Sequence, residues 1–272
     1  MAAPPFAALR APLARALRCA CALFAAVALL ACGSGAPPRA VAIASAVERP
    51  ACDPRVARWQ LLPTRGAARG SFERGESELF VGSLCEFLRS ARHGGRTPRV
   101  LAAARAPQGL RLVARPPLER AVELKGRAIG LDPDQDGLLL LARVLRDERL
   151  ELDDVRLEWR DASALADALE SGEFGAIAVA SDAAADAAAA FASGGWTVLV
   201  GSAELERERA RDVARALDAL APLPLEPAEL AELQRALDEL EQALVEVGEL
   251  IGPTGGADAL RAPDVRVRQL GA

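Results

Sequence analysis

The sequence predicts an α/β protein, and three observations carry that prediction. Short apolar runs alternate with longer amphipathic stretches over residues 40–200. Turn-forming clusters such as Pro107-Gln108-Gly109, Asp132 to Gly137 and Ser171-Gly172 separate many of them. The last third then changes to a purely helical pattern.

Taken in order, Val41 to Ala44, Trp59 to Leu62 and Leu79 to Val81 read as strands. Leu84 to Ala91 reads as a helix stopped by His93-Gly94-Gly95. Arg99 to Ala103, Leu110 to Ala114 and Ala128 to Leu131 are further strands, the last followed by the polar loop Asp132-Pro133-Asp134-Gln135-Asp136-Gly137. Leu138 to Asp147 is a helix with Leu138, Leu141 and Leu145 on one face. Val155 to Trp159 alternates as a strand, Ala162 to Leu169 is helical, and Ala176 to Val179 is a buried strand. Asp182 to Phe191 reads as one more helix and Trp196 to Val200 as the last strand of a largely parallel arrangement. Beyond it, Ala203 to Leu220 is a charged helix ended by Pro222 and Pro224. A second helix starts near Pro227, with Glu226, Glu229 and Glu232 complementing its dipole. Leu230, Leu233, Leu237, Leu240, Leu244, Val247 and Ile251 form a coiled-coil-like stripe on it, which favours packing within the chain over a dimer seam.

The first 31 residues read as a targeting segment. Arg10, Arg15 and Arg18 precede the apolar run Cys19 to Ala31, which is shorter than the roughly 20 residues a spanning helix needs. Leu29-Leu30-Ala31-Cys32 resembles the lipobox of bacterial lipoproteins. That resemblance implies cleavage after Ala31, lipid on Cys32 and a tether over 32–39; an ordinary secretory peptide cut nearby is the alternative. Gly33, rather than Asp, after the cysteine favours the outer membrane over the inner one, on the periplasmic side of the envelope. Cys52 and Cys85 remain, either as a disulfide pair or as two buried thiols.

A net charge of −5 and a pI near 5.2 supply no basic surface for nucleic acid. His93 is the sole histidine and lies in a Gly-rich loop, so neither a catalytic His pair nor a common zinc site is expected. Asp132-x-Asp134-x-Asp136-Gly137 has the first half of a calcium loop, but Arg143 stands where its bidentate Glu should be. The bland reading, a solvated acidic turn capping the next helix, is preferred, and no metal or cofactor is expected.

The stretch Glu123-Leu124-Lys125-Gly126-Arg127-Ala128-Ile129-Gly130 resembles the "dLkGkkIgv" element of substrate-binding proteins of ABC importers, of the nitrate/sulfonate/taurine and thiamine-precursor group. Leu152-Asp153-Asp154-Val155 and Ala164 to Gly172 follow in that family's order; Phe72 to Ser83 and Arg99 to Ala114 match its first lobe. The resemblance implies a two-lobed type 2 periplasmic-binding-protein-like fold with, here, a helical C-terminal extension. Its lobes would be 40–115, completed by 197–272, and 116–196, with the helices of 203–251 packing on the first. It also implies a cleft bordered by Ser83, Gln135, Asp136, Ser181 and Asp182. A small polar solute would be captured there by hinge closure and delivered to permease subunits, without catalysis. The three carboxylates of the acidic loop disfavour sulfonate or nitrate and favour a neutral or cationic solute. The alternative is a degenerate fold without solute, docking an envelope partner through its leucine-striped helix.

Overall fold

The computed structural model describes residues 39–46, 53–93, 96–106, 109–115, 118, 120–133, 136–180, 189–220, 223–248 and 268–269. Cys32, Cys52, Gln135, Ser181 and Asp182, with the expected targeting segment, lie outside them. Two mixed sheets organise the chain. The first, of seven strands, has the order β11-β12-β4-β10-β3-β1-β2. Its strands are β1 (Val41–Ser45), β2 (Ala57–Leu61), β3 (Leu79–Gly82), β4 (Pro98–Arg105), β10 (Trp196–Ser202), β11 (Leu223–Pro224) and β12 (Arg268–Gln269). The second, of five, has the order β7-β6-β8-β5-β9. It is built from β5 (Leu110–Ala114), β6 (Ala128–Leu131), β7 (Arg156–Trp159), β8 (Ala176–Ala180) and β9 (Ala189–Ser193).

Strands β3 and β8 are apolar along their whole length because both of their faces are covered. In β3, Phe80 faces one core while Leu79 and Val81 face another. In β8, Ala176 and Ala178 point one way, and Ile177 and Val179 the other. Helix α1 (Arg65–Glu73) is capped by the Thr64 hydroxyl, which accepts from the Ala67 amide at 3.0 Å, and packs on β3 and β1. Helix α2 (Leu84–His93) lies against α1, β4 and β10. Helix α3 (Gly137–Asp147) packs on β5 and β8, and α4 (Ala162–Glu170) covers the other face of β8 and β6. Close approach there requires Gly130: a Cβ would stand 2.6 Å from Leu165 and 2.7 Å from Phe174.

Three expectations are corrected. The sheets are mixed rather than largely parallel, because β10 enters the first antiparallel to β3 and β4, and β5 enters the second antiparallel to β8 and β9. The chain changes sheets after Arg105, not after residue 115, since β5 already pairs with β8. It returns between Ser193 and Trp196, where the Ala106 amide donates to the Gly195 carbonyl at 3.0 Å and ties the two crossing segments together. Residues 189–191, read as the end of a helix, belong to strand β9, drawn into register by β5.

The two C-terminal helices pack on different neighbours. Helix α5 (Ala203–Leu220) does pack on the first sheet, through Leu205, Val213, Ala216 and Leu220. Helix α6 (Pro227–Glu246) packs mainly on α3, beyond the second sheet, and secondarily on α2. Its stripe residues Leu233, Leu237, Leu240 and Leu244 are fully buried, each contributing about 1.5–3 kcal/mol of burial free energy. They join residues of both sheets in one core. The stripe is therefore spent inside the chain; only Leu230 at its start is exposed, and Ile251 lies outside the described residues.

Candidate functional site

The elements that carry the resemblance build most of the second sheet and, through β3 and β4, part of the first. The Lys125 ammonium pairs with Asp154 at 2.9 Å, and the Gly126 amide donates to the Asp154 carbonyl at 2.7 Å. Together they set β6 beside β7. Glu78, in the matching first-lobe segment, accepts from the Ala42 amide at 2.9 Å and pairs with Arg209 of α5. These positions fasten the scaffold.

Two of the expected site residues do meet. Ser83 and Asp136 are almost fully buried where α2 of the first sheet approaches the loop before α3 of the second. Ser83 caps α2, its hydroxyl oxygen accepting from the Glu86 amide at 3.3 Å. Asp136 occupies the cap position of α3 yet makes no cap hydrogen bond to that helix. Its carboxylate instead crosses the seam and accepts from the Cys85 amide at 2.9 Å and the Leu84 amide at 3.4 Å. First-turn amides have no partner within their own helix, so Asp136 supplies what α2 cannot supply itself. Burial pushes the Asp136 carboxyl above the usual carboxylate range; the Cys85 and Leu84 amides, Arg65 and the Ser83 hydroxyl oppose that rise. Against the expectation of a solvated turn, Asp132 and Asp136 are buried, and the Asp136 side chain serves α2 rather than its own helix.

One helical turn further on, Arg89 makes a second crossing. Its guanidinium donates to the Pro133 carbonyl and lies 5.3 Å from the ring centre of Trp159 in β7. Buried Glu86 holds it there, pairing with Arg89 at 3.4 Å and with Arg69 of α1 at 2.8 Å. Trp159 was legible as a strand residue, whereas Arg69, Glu86 and Arg89 escaped the sequence reading. The Ser83-x-x-Glu86 spacing, a capping-box signature, was the available signal for the start of α2 and for an inward-facing acid.

The remaining expected residues are not brought together among the described residues. Cys85 is buried in α2, while Cys52, Gln135, Ser181 and Asp182 lie outside the description. Arg143, at the twelfth position of the calcium-like loop, pairs with Glu239 of α6 at 2.6 Å. No group of three or more His, Cys, Asp or Glu side chains able to hold a metal occurs among the described residues. A surface cavity of about 450 Å³ lies away from the seam, between Leu145 and Arg146 of α3, Leu152 and Gln242 of α6. Among the described residues no helix is long and apolar enough to cross a membrane.

No protein-family model matches the sequence, and comparison with curated proteins gives no match. Solved structures do resemble it. The aliphatic sulphonate binding protein SsuA from Escherichia coli aligns with a TM-score of 0.58 at 14% identity, covering 86% of this chain and 93% of that one. PhnD1 from Prochlorococcus marinus, in complex with methylphosphonate, aligns at 0.53 and 11%, covering 78% of this chain and 100% of that one. The alkanesulfonate-binding protein SsuA from Xanthomonas axonopodis pv. citri, bound to MOPS, aligns at 0.52 and 16%, covering 84% and 85%. At such identities the likeness establishes the fold: two mixed sheets with associated helices in a two-lobed α/β, periplasmic-binding-protein-like arrangement.

Proposed function

We propose that this chain is an extracytoplasmic solute-binding protein of the ABC-importer type, anchored by lipid on Cys32, which captures a small polar solute between its two lobes. The observation that carries the reading is the meeting of two helix starts from different sheets, α2 and α3, at buried Ser83 and Asp136. Helix starts concentrate amides that lack a partner within their own helix, which is the means by which such a seam recognises polar groups. Gln135, Ser181 and Asp182 would border the same seam, by the sequence resemblance. The work is capture and release with no bond made or broken, and the recipient is a membrane permease. Likeness of fold to proteins that bind sulphonates and methylphosphonate supports the class of activity; the acidic loop argues for a different solute. Burial of the leucine stripe removes the main support for the partner-docking alternative.

Two experiments test this. A Cys32→Ala variant is expected in the soluble periplasmic fraction; retention in the membrane fraction would refute the anchor. A thermal-shift screen of that soluble protein against amines, amino acids, sulfonates, pyrimidines and divalent metals is expected to give one responding class. A ligand at 100 times its Kd adds about 2.7 kcal/mol, a shift of several degrees. A flat screen from a cooperatively folded protein would refute solute capture.

A further inference from the structure

We infer that Asp136 is a built-in stopper: its carboxylate occupies the start of α2, clasps the two lobes together and competes with any solute for the same amides. Three facts carry this. Asp136 belongs to the second lobe by its place between β6 and α3, whereas its acceptors' donors, Leu84 and Cys85, belong to the first. The side chain leaves its own helix uncapped to reach them, 51 and 52 residues away in sequence. A second crossing contact, Arg89 to the Pro133 carbonyl and over Trp159, closes the same seam one helical turn away, braced by Glu86 and Arg69. The amides of Leu84 and Cys85 are already satisfied by a carboxylate, so a solute reaching for them competes with the protein itself. The clasp is then a conformational tax on binding: apparent affinity falls by the fraction of molecules in which the seam is open. This inference rests on the solute-binding reading for its purpose, but the clasp itself stands or falls without any solute.

Amide hydrogen exchange tests it, because Leu84 and Cys85 are first-turn amides with no acceptor inside α2. In the solute-free protein carrying Cys32→Ala, both are expected to be protected. Asp136→Ala is expected to lower their protection at least about tenfold while the amides of α6 keep theirs, which shows that the fold survives. Arg89→Ala, which touches neither amide, is expected to lower the same protection by opening the seam; Asp136→Asn is expected to retain most of it. Unprotected Leu84 and Cys85 amides in the parent protein would overturn the clasp. So would unchanged protection in a folded Asp136→Ala protein, or loss in Asp136→Ala without any in Arg89→Ala. A flat solute screen beside an intact exchange pattern would refute the solute-binding reading and leave the clasp standing.

Discussion

The two lobes touch in two chemically different ways. On α6 the joint is apolar: Leu233, Leu237, Leu240 and Leu244 are buried against α3 and α2 in a core shared by both sheets. At the start of α2 the joint is polar: one carboxylate, the two first-turn amides that donate to it and one arginine on a carbonyl. The apolar joint gains free energy from area and is indifferent to small displacements. The polar joint depends on distances of a few tenths of an ångström and can be exchanged for water or a ligand at little net cost. The first joint resists separation of the lobes through buried area, and the second through a few directional contacts.

Breaking the apolar joint is expected to have the largest effect. Leu237→Ala should cost about 2–5 kcal/mol in urea unfolding. It should do so in one transition, because the core is shared; two separated transitions would show that α6 does not couple the lobes. Breaking the polar joint should cost less. Asp136→Ala leaves two donors without their acceptor and is expected to lower stability by about 1–3 kcal/mol. Asp136→Asn should recover most of that, since an amide oxygen still accepts and no charge is buried.

The pH dependence sharpens the contrast. Burial raises the Asp136 carboxyl in the folded state, so its stabilisation is complete below the ordinary aspartate range and lost as pH rises through the folded-state value. Stability of the parent relative to Asp136→Asn should therefore fall between acid and neutral pH; a flat difference would show that the carboxylate is not desolvated. Glu232 of α6 gives the opposite sign and the smallest effect. The hydrogen bond from Arg105 lowers its carboxyl, so its stabilisation is present above the ordinary glutamate range and lost as pH falls through the lowered value. The side chain is 39% exposed, which limits Glu232→Gln to less than about 1 kcal/mol.

Legibility in the sequence followed the range of the interaction. Strands with both faces covered, such as Leu79–Gly82 and Ala176–Ala180, announce themselves as apolar runs. The antiparallel entry of β10 and β5 is invisible, because pairing partners lie far along the chain. Helix α1 hides because Arg65–Glu73 carries two glycines and buries only Ala68, Ser71 and Phe72. Strand β9 misleads because Ala189-Ala190-Phe191-Ala192-Ser193 has helical composition, which pairing with β5 overrides. Ser83 and Asp136 were legible as residues at helix starts. That Asp136 serves the other lobe's helix was not, since local spacing assigns it to its own.

The most direct measurement is the solute screen run side by side on the parent protein and on Asp136→Ala, both carrying Cys32→Ala. The account expects a responding solute whose shift is larger in Asp136→Ala, with calorimetric affinity higher by about tenfold or more, because the internal competitor is gone. A solute that stabilises the parent more than the variant would make Asp136 a ligand contact and contradict the stopper. Silence from both proteins would contradict solute binding altogether.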